Sequence, residues 1–122
     1  MLPEPGAWFA VWSWSPDGRK LAGNHRKADG ALDGIGIYSL ESEKLARLTH
    51  FGAVPVWLWD SRRLLFQDRG KLYLVDSQTG KPREILSVAP HGIDTPTLSR
   101  DDRLMYFSVI VKEADIWLAT LE

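Results

Sequence analysis

The chain has no cysteine among its 122 residues, which excludes disulfides, thiolate metal sites and cysteine nucleophiles. It has no apolar run close to the ~20 residues needed to cross a bilayer, and it opens without the basic and apolar segments of a signal peptide. An excess of charge is also missing, since 15 basic and 16 acidic residues give a net charge of −1. We therefore expect no membrane insertion and no nucleic-acid partner. The expected location is cytoplasmic, or periplasmic if the chain belongs to a longer protein.

Motifs that would carry chemistry are also lacking. There is no Gly-rich phosphate loop ending in Lys-Ser or Lys-Thr and no Gly-x-Ser-x-Gly nucleophile turn. Asp29 and Asp33 each precede a glycine, but the alternating oxygen ligands and closing glutamate of a calcium loop do not follow them. The sequence thus predicts no catalytic residue, no cofactor and no metal site.

What the chain does contain is an internal repeat. An apolar residue is followed closely by aspartate, a small or polar residue, arginine and a second apolar stretch. Aspartate with a small neighbour favours a tight turn, so Asp17, Asp60 and Asp101 are interpreted as turn-forming residues. The second copy begins 43 residues after the first and the third 41 residues later, at residues 14–21, 57–64 and 98–105.

A second set of repeated positions places an aliphatic and then an aromatic residue at the centre of a strand, in residues 36–40, 71–75 and 115–119. In the first two copies a polar turn and a short fourth strand follow. Four short strands with a period of ~40–45 residues are typical of propeller blades rather than helical solenoids. We predict an all-β fold of about three four-stranded antiparallel repeats, of which the last is incomplete.

Several predicted strands are apolar at consecutive positions instead of alternating, as in Leu64-Leu65-Phe66. Such runs indicate sheets covered on both faces, which is the situation of a blade between two neighbours. The chain also has six tryptophans. We expect them to pack between blades.

The segment Trp14-Ser15-Pro16-Asp17-Gly18-Arg19 resembles the hallmark of the bacterial TolB-type, WD-like propeller repeat, and Ile37-Tyr38 and Leu72-Tyr73 resemble its third strand. The end of the chain, residues 99–118, is similar to the last blade of propellers that follow kinase or regulatory domains. The second and third copies depart from the motif at Trp59, Ser61, Arg100 and Asp102. The resemblance implies a single partial propeller over residues 1–122, with repeats at about 8–50, 51–91 and 92–122. It also implies binding of proteins or peptides, or gating of a hydrolase domain that this sequence lacks.

Three blades are fewer than the four to eight that close a propeller ring. Two blade faces would then be bare, and large exposed apolar faces indicate a partner. Either two chains form a six-bladed ring as a homodimer, or the chain is the C-terminal part of a larger propeller.

Two histidines recur at equivalent positions, His50 and His91, just before the predicted first strands of the second and third repeats. In a propeller such loops cluster at one mouth of the channel. With Asp94 and a long loop from His25 to Gly34, they form the candidate binding face. The alternative interpretation is that both histidines are turn residues kept by duplication. A metal would need a further ligand that the spacing does not supply.

These observations leave two functional hypotheses. The first is a non-enzymatic module that binds a protein or peptide at the channel mouth. The second is a propeller-type lyase or hydrolase, for which His50, His91 and Asp94 are the residues available at the mouth.

Overall fold

The computed structural model of the chain describes residues 7–110 and 115–121. Twelve strands and no helix lie in these ranges, and the strands form three antiparallel sheets. The predicted all-β class is therefore confirmed. No helix in these ranges is long and apolar enough to cross a membrane.

Each of the first two sheets is a four-stranded meander in which every strand pairs with the next. Sheet I contains β1 (Trp8–Trp14), β2 (Lys20–Arg26), β3 (Leu32–Ser39) and β4 (Lys44–Arg47). Sheet II contains β5 (Ala53–Trp57), β6 (Arg63–Asp68), β7 (Lys71–Asp76) and β8 (Pro82–Ser87).

Sheet III is built on the same plan, with an interrupted first strand. It contains β9 (Gly92–Ile93), β10 (Thr97–Leu98), β11 (Leu104–Ile110) and β12 (Asp115–Thr120). Both β9 and β10 pair with β11, so together they occupy the place of β1 and β5. Among residues 92–110 and 115–121 no strand pairs with the far edge of β12, in agreement with the predicted incomplete third repeat.

The first strand of every sheet is irregular at the same repeat position. The register shifts between Val11 and Ser13 in β1 and between Ala53 and Val56 in β5, and pairing is interrupted between β9 and β10. Buried prolines, Pro55 and Pro96, stand in the second and third sheets at this point. A proline fits there because an irregular position needs no ladder hydrogen bond from its nitrogen.

The repeated aspartates organise the turns after the first strands, as predicted. The Asp17 carboxylate accepts hydrogen bonds from the Ser15 hydroxyl at 2.6 Å and from the Arg19 amide at 3.0 Å. In sheet III the Asp101 carboxylate accepts from Ser99 at 2.8 Å and from Arg103 at 3.1 Å. The side-chain hydrogen bond from the serine is the main reason that the pKa of each carboxyl lies below its usual value.

Two apolar layers join the sheets. Between sheets I and II the buried side chains are those of Ala22, Ile35, Ile37, Trp57, Leu64, Phe66 and Val75. Between sheets II and III they are those of Leu58, Leu65, Leu72, Ile93, Met105, Phe107 and Val109. Sheet II contributes to both layers, which confirms that its consecutive apolar residues serve two faces.

The expectation that the tryptophans pack between blades is wrong for the three in β1, whereas Trp59 reaches sheet III, where its indole nitrogen donates to the Leu98 carbonyl at 3.4 Å. Trp57 is buried, but Trp8, Trp12, Trp14 and Trp59 are 45–61% exposed, and the side chain of Trp117 lies outside the described side chains. Trp14 pairs with Leu21 on the face of sheet I away from sheet II, where the structure describes no neighbour. Trp8 pairs with Arg26 on the opposite face, at the other end of β1, and its ring is covered only by the Arg26 guanidinium at 5.4 Å. Trp12 is also exposed because it occupies the irregular position where the other sheets have a buried proline.

Candidate binding groove

One end of the three sheets carries an open groove of about 640 Å³. The turn between β6 and β7 and the two connections between sheets lie at this end. We call it the mouth groove, and its lining consists of Leu32, Gly34, His50, Phe51, Gly52, Ala53, Val54, Gln67, Asp68, Arg69, Gly70, Gly92 and Ile93. All three sheets contribute to it.

Thr49 fixes the connection that carries His50 into the groove. Its buried hydroxyl donates to the carbonyl of Phe51 at 2.7 Å and accepts from the amide of Ile35 at 3.1 Å. The carbonyl of Thr49 also comes so close to Gly34 that a Cβ there would lie 2.1 Å from it. The connection is therefore held tightly against β3, and His50 projects from a braced segment.

Aromatic rings pack together beneath this connection. The centroids of Phe51 and Tyr73 are 5.1 Å apart in an edge arrangement, and Phe66 stacks on Tyr73 at 5.2 Å. Such ring pairs add about 0.5–1.5 kcal/mol to simple burial. Since Phe51 also lines the groove, the floor of the groove is continuous with a rigid part of the core.

Val54 has a left-handed backbone, with φ of 58°, at the edge of the groove. This conformation is rare for a β-branched residue, and residues held in it cost about 1–3 kcal/mol. Its amide donates to the Asn24 side-chain oxygen of sheet I at 3.2 Å. A strained position maintained by a bond between sheets is a feature that clusters at binding sites.

The polar side of the groove carries charges of both signs. Asp68 ends β6, and Arg69 opens the two-residue turn to β7 with the left-handed φ of 52° that this turn requires. His50 is exposed to solvent, and Asp68 is half-buried. The groove thus combines an apolar floor with an imidazole, a carboxylate and a guanidinium at its rim.

The structure separates the three predicted site residues. His50 lines the groove, whereas the exposed side chains of His91 and Asp94 are absent from the lining, although Gly92 and Ile93 between them belong to it. The His91 amide closes a turn onto Val88 at 2.9 Å. The Asp94 backbone carbonyl accepts from the Gln67 side chain at 3.3 Å, which links sheets II and III.

Half of the predicted long loop from His25 to Gly34 is strand. β2 extends to Arg26 and β3 begins at Leu32, so only residues 27–31 connect them. The Lys27 amide donates to the Ala31 carbonyl at 2.9 Å, and the Asp29 carboxylate accepts from the Ala31 amide at 2.9 Å. The segment is a closed turn rather than an extended binding loop.

His25 is consequently a buried strand residue and not part of the binding face. Its ring lies against Phe9, with centroids 5.8 Å apart, and its Nε2 has no hydrogen-bond partner. Burial lowers the pKa of His25, and the nearby Arg47 guanidinium adds to this effect. His25 is therefore neutral at physiological pH.

Asp33 is committed to an ion pair. Arg47 contacts its carboxylate at 3.1 Å and also donates to its backbone carbonyl. The hydrogen bond from Arg47 lowers the pKa of the Asp33 carboxyl. In the part of the chain that the structure describes, no group of three His, Asp or Glu side chains is placed to hold a metal ion.

Comparison with known proteins places this geometry in a fold. No family model and no curated protein matches the chain. Among solved structures, a putative TolB from Agrobacterium tumefaciens matches with a TM-score of 0.73 and 20% identity, over 98% of this chain and 46% of its own.

Two enzymes also match over 98% of this chain. An oligogalacturonate lyase solved in complex with manganese has a TM-score of 0.74 and 11% identity, over 40% of its own chain. A prolyl endopeptidase has a TM-score of 0.74 and 17% identity, over 21% of its chain. The chain spans less than half the length of each of these proteins.

At these identities the likeness concerns the fold. Three consecutive antiparallel sheets, two shared apolar layers and irregular first strands agree with it. The chain therefore has the fold of consecutive blades of a TolB-like β-propeller.

Proposed function

We propose that the chain is a non-enzymatic binding module that takes an extended peptide segment of a partner protein in the mouth groove. The observation that carries the proposal is the groove itself, which joins an apolar floor at Phe51 to a polar rim at His50 and Arg69. Sites of this kind give affinity through apolar contact and orientation through a few polar groups.

The connections that form the groove support the same function. Thr49 holds one connection against sheet I, and a Cβ on Gly70 would lie 2.3 Å from the His91 carbonyl, which shows how closely the second connection packs. A preformed groove binds with a smaller loss of conformational entropy than a loose one.

The test uses random dodecapeptides displayed on phage and selected on the full chain. Peptides that bind the wild type should lose at least about tenfold in affinity for Phe51→Ala and His50→Ala, which alter the floor and the rim. His91→Ala is the matched control, since it removes an exposed histidine outside the groove lining. Equal loss for His91→Ala, or no loss for the groove variants, would refute the proposal.

The second candidate is an enzyme, because two of the proteins with this fold are a lyase and a peptidase. Such an activity would use His50, and it would need partners that converge on it, whereas His91 and Asp94 are outside the lining. Oligogalacturonate and prolyl peptides are the substrates to assay, with elemental analysis for tightly bound metal. Turnover that His50→Ala abolishes would favour this candidate over the binding module.

A further inference from the structure

Sheets I and III each have one face that no other sheet covers within residues 7–110 and 115–121, and we call these the free faces. They carry equivalents of residues that the array buries internally. Trp57 packs between sheets I and II and is 5% exposed, and the equivalent residue of sheet I, 43 positions earlier, is Trp14, which is 61% exposed. At the opposite end, Tyr106 is 45% exposed. Its equivalents in the first two sheets, Ala22 and Leu65, are fully buried.

The contact that Trp57 makes shows what a partner for Trp14 must offer. The Trp57 backbone amide donates to the Ser13 hydroxyl at 3.4 Å, and its indole nitrogen donates to the Ser13 carbonyl at 3.3 Å. A hydroxyl residue on the first strand of the preceding sheet therefore receives this tryptophan.

Sheet III has such a residue at the equivalent place. The residue two repeats after Ser13 is Thr97, and the residue one repeat after it, in sheet II, is Val56. Thr97 is exposed and pairs with Tyr106 in β10 and β11. Because Met105, the neighbour of Tyr106, packs toward sheet II, Thr97 and Tyr106 lie on the free face of sheet III.

A third equivalence concerns the end of the sheets near the mouth groove. Asn24 of sheet I accepts from the Val54 amide of sheet II, and Gln67 of sheet II donates to the Asp94 carbonyl of sheet III. The equivalent residue of sheet III is Ser108, which also carries a polar group. Asn24 and Gln67 thus each join their sheet to the following one, and Ser108 places a polar group at the same position on the free face of sheet III.

We propose that the free face of sheet I binds the free face of sheet III of a second copy of this chain. In this arrangement Trp14 of each copy packs against Thr97 of the other copy, in the same way that Trp57 packs against Ser13 within one copy. The arrangement has two identical interfaces and closes after two copies, which gives a ring of six sheets, within the usual range of four to eight. The second copy is favoured as occupant because it covers both free faces through contacts of the kind that already join sheets I and II.

The closing interface lacks one contact that the internal ones have. Ser61 and Asp102 each accept a hydrogen bond from the turn of the preceding sheet, and their equivalent in sheet I is Gly18. Because Gly18 has no side chain, the interface between two copies is weaker than the interfaces between sheets of one copy. We therefore expect the dimer to dissociate on dilution.

The test is sedimentation equilibrium of the full chain from about 1 to 100 µM, a range that brackets micromolar affinity. We expect a reversible species of twice 13.8 kDa. Trp14→Ala should weaken dimerisation by about thirtyfold or more, as a central aromatic contact does. Thr97→Val, which keeps the shape and removes the hydroxyl, should weaken it by about threefold to tenfold.

Gln78→Ala is the control, since Gln78 is exposed in the turn after β7 of sheet II, whose two faces are already covered by sheets I and III. It should leave the dimer unchanged. Gly18→Asp should tighten the dimer, because it supplies the carboxylate that Asp102 supplies internally. Circular dichroism verifies that each variant is folded.

A monomer throughout the concentration range would overturn the proposal, as would open chains of increasing mass. A dimer that Trp14→Ala and Thr97→Val leave unaffected would overturn it equally, since the copies would then meet through other surfaces.

Discussion

The carboxylate of Asp102 accepts a hydrogen bond from the backbone amide of Asp60 at 3.1 Å, and a second from the amide of Trp59 at 2.7 Å. Asp102 belongs to sheet III and the two amides to sheet II. One repeat earlier, the Ser61 hydroxyl accepts from the Asp17 amide at 3.0 Å. A side chain on the turns of sheets II and III therefore caps the turn of the preceding sheet.

Removal of the Asp102 carboxylate should destabilise the array. Asp102→Ala leaves two amides without their charged acceptor and is expected to lower the free energy of unfolding by about 2–3 kcal/mol. Asp102→Asn retains one acceptor oxygen and should lose about half as much. Urea denaturation followed by tryptophan fluorescence measures both. A loss below about 0.5 kcal/mol for the alanine variant would contradict the capping role.

Relief of backbone strain at Val54 should stabilise the fold. Val54→Gly removes the β-branched side chain from a φ of 58° and should raise the free energy of unfolding by about 0.5–1 kcal/mol. Val56→Gly, on the same strand but outside the residues with positive φ, is the control and should lower it by about 1–2 kcal/mol. If both variants lose stability equally, the Val54 backbone stores no strain.

Alanine substitutions at two glycines with nearly the same φ separate the cost of a steric clash from the cost of a left-handed backbone. Gly52 and Gly30 have φ of +91° and +88°, but a Cβ on Gly52 would lie 2.3 Å from the Phe66 ring, whereas Gly30 faces open space. Gly30→Ala should cost about 1 kcal/mol for the left-handed backbone alone. Gly52→Ala should cost about 1–3 kcal/mol more. Equal melting temperatures for the two variants would argue against the close packing of Phe66.

The buried His25 should make stability depend on pH. Its pKa is lowered by burial, so below its ordinary pKa of about 6.5 the unfolded chain takes up a proton that the folded chain resists. Stability is therefore complete above about pH 6.5 and falls as the pH decreases toward the folded pKa. His25→Phe should flatten this fall in stability between about pH 7 and 5. In that range Asp17, Asp33 and Asp101 stay ionised, because the pKa of each carboxyl lies below its usual value. A slope that persists in His25→Phe would assign the pH dependence to another group.

The repeat made the fold predictable, because turn chemistry and apolar runs recur with a constant offset. Strands such as β6 and β7 are predicted by apolar runs that recur at the repeat offset, and the turn role of Asp17 and Asp101 follows from their neighbours. These features depend on residues adjacent in sequence, which is why they could be inferred before any tertiary contact was known.

The site was predictable only in part. Recurrence pointed to both His50, which lines the groove, and His91, which does not. Thr49, which braces the connection, gives no sequence signal because its partners are Ile35 and Phe51. His25 was misassigned to a loop because the short turn at residues 27–31 is rich in charge and glycine. The exposure of Trp14 could not be inferred, since its sequence context matches that of the buried Trp57.

The sequential winding of the sheets has a consequence for how the molecule opens. Strand contacts link sheet I to sheet II through β5 and sheet II to sheet III through β7 and β9, so each terminal sheet is supported from one side and the middle sheet from both. In a single copy, which is such a linear array, local unfolding starts at the ends and spreads inward. The amides of β6 and β7 are then the last to exchange with solvent, and the kinetic lifetime of the whole chain is set by its centre.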